Sequence, residues 1–114
     1  MSLNHLFEPI KLGKLELRNR IAFAPVGVGL YNADETVNER YFPFIAERAK
    51  ETGLIITQGT RPSLKGGVKL IGTYDDKFIP SLTKFADAAH SNGAKIFIQT
   101  VVVGGNDPLG GYAP

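Results

Sequence analysis

A chain of 114 residues and 12.3 kDa, 43% hydrophobic and 21% charged, has the length and balance of one globular domain with a real core, which excludes a disordered or fibrous polypeptide. Thirteen Lys and Arg against eleven Asp and Glu leave a net charge of +2 and no polybasic run, so neither nucleic acid nor an anionic membrane is indicated as a partner. Without cysteine there is no disulfide, zinc–thiolate or thiol chemistry, and with neither a leader-like start nor ~18 consecutive apolar residues the expected location is cytoplasmic, with no membrane span.

From the N-terminus, Phe7 to Arg20 alternates apolar and polar through Ile10, Leu12, Leu15 and Leu17 around Gly13-Lys14, which predicts a β-hairpin. Ile21 to Ala24 reads as a first core strand, stopped by Pro25, Gly27 and Gly29, whose small size lets a ligand approach the backbone. Tyr31 to Asn38 is polar and expected to be a loop, with Asp34, Glu35 and Glu39 solvated. Phe42, Ile45, Ala46 and Ala49 then recur on one helical face, the helix starting close to Pro43 and ending at Gly53.

Leu54 to Thr57 predicts a second buried strand leading into Gln58-Gly59-Thr60. Arg61 to Asp76 reads as a long glycine-bearing loop in which Arg61, Lys65 and Lys69 are expected to be solvated. Ile79, Leu82, Ala86 and Ala89 form a second helical stripe, with Pro80 in its first turn and Asn92-Gly93 at its C-cap, and with His90 on its solvated side. His5, near the terminus, has no assigned role.

The third strand, Ile96 to Gln99, is an apolar run too short for a helix, running on to Gly104-Gly105. Gln99 within it is expected to be buried, and an amide buried without partners costs about 1–3 kcal/mol, so it requires one. A backbone group of a neighbouring strand would serve. So would a ligand with alternating donors and acceptors, which a glutamine meets with its carbonyl and its NH2.

Strand, helix, strand, helix, strand with short joints makes two right-handed βαβ units, with parallel strands in the order 1-2-3 and both helices on one face. That is an α/β fold and the way a (β/α)8 barrel begins, whereas a doubly wound sheet usually carries a phosphate-binding glycine fingerprint, of which Gly27 to Gly29 supplies only G-V-G.

Three stretches, L-F-E-P-I-K-L-G-K-L-E-L-R-N-R-I-A-F-A-P (residues 6–25), R-A-K-E-T-G-L-I-I-T (48–57) and D-A-A-H-S-N-G-A-K-I-F-I-Q (87–99), closely resemble the N-terminal part of the old yellow enzyme family of FMN-dependent NAD(P)H oxidoreductases. The resemblance implies that the chain is a single incomplete domain over residues 1–114, the first part of a flavin-binding TIM barrel. It implies FMN as cofactor, NADH or NADPH as reductant and a small-molecule acceptor such as an activated alkene. It also implies, as partner, the remainder of the barrel or another copy of the chain.

The same resemblance matches Ala24, Pro25, Val26 and Gly27 to the family turn A-P-M-[TC] beside the flavin ring, Gly59 to a small residue contacting the flavin by its main chain, and Gln99 to the glutamine at the flavin pyrimidine edge. Two departures stand out. Gly27 replaces the family's tuning Thr or Cys, and T-V-V-V-G-G after Gln99 replaces L-x-H-x-G-R, with Val102 and Gly105 where the His and Arg stand. No catalytic residue is assigned within the chain, and the competing expectation is a degenerate half-barrel acting as a structural or assembly subunit.

Overall fold

The computed structural model describes residues 3–64 and 68–102. The predicted hairpin forms from β1 (Ile10–Leu12) and β2 (Leu15–Leu17), joined through Gly13 at φ 62°, a left-handed conformation that glycine adopts without a Cβ penalty. A short helical turn, α1 (Asn4–Phe7), precedes it; four residues carry too little periodicity for the sequence to announce them.

The sheet contains β3 (Ala22–Phe23), β4 (Leu54–Arg61) and β6 (Lys95–Thr100), all parallel, with α2 (Tyr41–Ala49) and α3 (Ile79–His90) as the crossovers. Ala22 and Phe23 pair with Leu54 and Ile55, and the same two residues of β4 pair on the other edge with Lys95 and Ile96. The order is therefore β3-β4-β6, the sequential arrangement expected of a barrel's first three strands. One more short strand, β5 (Ile71–Gly72), pairs with Thr60 and Arg61. Because Thr60 also pairs with Thr100 of β6, β5 lies on the β3 side of β4.

Strand lengths differ from expectation in an instructive way. β3 keeps only two of four expected residues, whereas β4 runs four residues beyond Thr57, through Gln58-Gly59-Thr60 to Arg61, because β6 pairs with Gly59 and Thr60 and β5 with Thr60 and Arg61. Pro43 sits in the first turn of α2 and Pro80 in that of α3, where a missing N–H costs no helical hydrogen bond. Gly93, at φ 85°, ends the second helix.

Both helices cover one face. Tyr41, Ile45 and Ala49 from α2, Phe85 and Ala89 from α3, and Ile55 and Ile71 from the sheet join Val37 and Ala94 in a single buried cluster, with the Tyr41 and Phe85 rings 4.6 Å apart. At the N-terminal end of the strands Arg18 caps both helices at once. Its guanidinium donates to the carbonyls of Ala49 and Thr52 after α2 and of Asn92 after α3, placing a cation at two helix C-termini.

The other side of the sheet is open. Phe97 and Ile98 of β6 are 41% and 47% exposed, against the expectation of a buried run, since among the described residues β6 pairs only with β4 and nothing covers its outer edge. Among the described residues no helix is long and apolar enough to cross a membrane.

Candidate functional site

Three chain segments meet at the C-terminal end of the parallel strands: the turn Ala24 to Val28 after β3, Gln58 to Arg61 at the end of β4, and Gln99 to Val102 at the end of β6. In barrels of this kind that end carries the chemistry. The turn is fastened to β4 by a side chain, since the Val28 N–H donates to Gln58 Oε1 at 3.1 Å. Ala24, Pro25, Val26 and Gly27 are exposed, and a side chain at Gly27 would meet nothing within 4 Å, so the position where the resembling family has Thr or Cys opens on free space.

Gly59 pairs directly with Gln99 across the β4–β6 ladder. A Cβ at Gly59 would lie 2.6 Å from Val101 Cγ2, an approach real Cβ atoms do not make, so any larger residue here would force the Val101 side chain to shift. The same position lies 3.8 Å from Gln99 Oε1, which puts the glycine and the amide side by side on one rim.

Gln99 itself is exposed, which corrects the expectation of a buried amide: with β6 at the sheet edge, water reaches it. Its side-chain amide makes no hydrogen bond among the described residues, leaving one acceptor and two donors available. The buried amide is Gln58, 2% exposed, whose Nε2 has no hydrogen-bond partner among the described residues while its Oε1 holds the turn. The sequence signal for it was the polar run T-Q-G-T directly after Leu-Ile-Ile, which read as a turn. Burial raises the Tyr41 phenol above its ordinary range, an effect that the Gln58 main chain partly offsets.

A second correction concerns the acidic loop. Glu35 is only 6% exposed and adopts φ 68°, and its carboxylate pairs with Arg61 Nη1 at 2.5 Å and accepts the Tyr74 hydroxyl at 2.5 Å. Sequence spacing pairs neither residue with Glu35, which stands 26 positions before Arg61 and 39 before Tyr74. Asp34 does stay in the solvated loop, where the Thr36 hydroxyl and then its N–H hold the carboxyl below its usual range. His90 is exposed, as expected. Lys65, Gly66, Gly67, Gly104 and Gly105 lie outside the described residues.

The hydrogen bond to Glu35 raises the Tyr74 phenol above its ordinary 10.0, with burial acting in the same direction. A raised value means that the folded state favours the protonated phenol. The resulting stabilisation is complete below pH 10.0 and is lost as the pH rises through the raised value. Ultraviolet titration is expected to show Tyr74, like the buried Tyr41, ionising later than a free phenol, and Glu35→Gln to lower the Tyr74 midpoint; an unmoved midpoint would contradict the contact.

The residues present fit a flavin. An exposed main-chain turn, a glycine rim and a free primary amide match a flat heteroaromatic edge carrying alternating donors and acceptors.

Comparison with known proteins identifies the family and the fold. The profile of the NADH:flavin oxidoreductase / NADH oxidase family matches residues 5–112. Cinnamate reductase from Clostridium sporogenes is 37% identical over 82% of this chain, and NADPH dehydrogenase from Listeria welshimeri is 30% identical over 90% of it. The crystal structure of Old Yellow Enzyme from a Pichia species superposes with a TM-score of 0.81 at 29% identity over 88% of the chain. The chain spans only 15% of the first relative, 31% of the second and 27% of the third. An α/β sheet laid down in sequential order, its strands ending in a glycine-and-amide rim, together with a family match over nearly its whole length, means that this chain belongs to the NADH:flavin oxidoreductase / NADH oxidase family, whose members are FMN-dependent TIM barrels.

Proposed function

We propose that this chain is the N-terminal portion of an FMN-dependent NAD(P)H oxidoreductase of the ene-reductase type, and that it forms one side of the flavin site. The observation that carries the reading is the pairing of Gly59 with Gln99 beside the exposed turn Ala24 to Gly27, at the end of three parallel strands. When bound, FMN would supply the redox chemistry that links NADH or NADPH as reductant to an activated alkene or related acceptor.

The residues here bind and orient. The main chain of Ala24, Pro25, Val26 and Gly27 would lie beside the ring, Gly59 would let the ring approach the backbone, and Gln99 would hydrogen-bond the pyrimidine edge. Without a side chain at Gly27, the flavin loses the tuning contact that a Thr or Cys would make. The relative named for cinnamate, an alkene conjugated to a carboxylate, supports an electron-poor alkene as acceptor.

In the FMN-loaded protein Gln99→Leu is expected to weaken FMN binding by about ten-fold or to shift the flavin potential, since a lost neutral hydrogen bond is worth about 0.5–1.5 kcal/mol and one to a charged partner about 1.5–3. Unchanged affinity and potential would remove Gln99 from the site. A second reading, a half-barrel without activity that serves as a structural or assembly subunit, is favoured by Val102, which is 70% exposed at the position of the family histidine. It predicts no FMN retained by the purified protein.

A further inference from the structure

The end of β4 carries an unusual set of buried groups: Thr57 and Thr60 are each 1% exposed, in a stretch where valine would pack as well and present no hydroxyl. The reason lies in the ladder. Register slips between Ile56 and Gly59, and at the slip the Gln99 N–H finds a side chain instead of a backbone carbonyl, donating to Thr57 Oγ1 at 3.1 Å. That hydroxyl passes its own hydrogen to the Gln58 carbonyl at 2.8 Å, so it cannot rotate away without breaking a second bond. On the other side of the same residue, Thr60 Oγ1 donates to the Gln99 carbonyl at 2.9 Å.

Both main-chain polar groups of Gln99 are thus held by buried hydroxyls of the neighbouring strand. We infer that Thr57 and Thr60 are positioning residues that fix the backbone of Gln99 and so aim its exposed amide at the cofactor; the inference rests on the proposed placement of FMN at this rim. A glutamine has three rotatable side-chain bonds, and a backbone free to shift would spread the amide over positions that match the ligand poorly.

The test uses the FMN-loaded protein and compares Gln99→Leu, Thr57→Val, Thr57→Ser and the double variant Thr57→Val/Gln99→Leu by FMN affinity and by the flavin's visible absorption and potential. Thr57→Val is expected to weaken FMN binding about ten-fold and to shift the flavin spectrum and potential in the direction of Gln99→Leu, while Thr57→Ser, which keeps the hydroxyl, retains both. In the double variant the effects should not add, because the threonine acts only through the glutamine. Full additivity, or a Thr57→Val protein with unchanged affinity and spectrum, would overturn the clamp. Gln99→Leu without effect would overturn the flavin placement itself and the clamp with it. If Thr57→Val fails to fold, Thr60→Val and Thr60→Ser make the same comparison on the carbonyl side.

Discussion

Arg61→Met is expected to cost about 3 kcal/mol, the lower end of what breaking a buried ion pair costs, because the Glu35 carboxylate keeps the Tyr74 hydroxyl when it loses the guanidinium. In a barrel of ordinary size that is a fall of about 10 °C in the thermal midpoint. The effect is large because the pair joins three segments. Gly72 donates its N–H to the Glu35 carbonyl, Thr73 donates both N–H and hydroxyl to the Arg61 carbonyl, and the Arg61 guanidinium also donates to the carbonyls of Ser63 and Leu64.

Removing one partner strands a charge, whereas removing both does not. Glu35→Leu combined with Arg61→Met is therefore expected to recover most of the loss, and a double variant no more stable than Arg61→Met would show that the charge is not what matters. Differential scanning calorimetry of the assembled protein reads both.

The second large effect concerns association. The 114-residue chain by itself is expected not to persist as a monomer: Val26, Phe97, Ile98 and Val102 are 48%, 41%, 47% and 70% exposed, and the outer edge of β6 presents unpaired backbone groups among the described residues. It should self-associate or pair with the remaining strands of a barrel. Ile98→Lys, placing a charge on that edge, is expected to reduce self-association. Sedimentation showing a cooperatively unfolding 12.3 kDa monomer would refute the open-face arrangement.

Much of this was legible in the residue order. The alternation of Ile10, Leu12, Leu15 and Leu17 marked the hairpin, the i, i+3, i+4, i+7 spacing of Phe42, Ile45, Ala46 and Ala49 marked α2, and the stripe of Ile79, Leu82, Ala86 and Ala89 marked α3, because those periods are local properties of the chain. Glycine and proline marked the ends for the same reason. Less legible was where the second strand stops. Thr57-Gln58-Gly59-Thr60 carries turn-type residues, yet it is strand, because β5 and β6 pair with it from segments distant in sequence.

What the sequence determined by itself was therefore the order and kind of the elements and the parallel barrel start they imply. Tertiary structure decided the partners of the polar groups. Glu35 read as a solvated loop acid and is buried against Arg61 and Tyr74; Gln99 read as a buried amide and is exposed, while Gln58 is buried in its place; Thr57 read as the last residue of a strand and holds the Gln99 backbone. The physical reason is common to all of them. Burial and pairing of a polar side chain depend on what crosses it from tens of residues away, which no local period records.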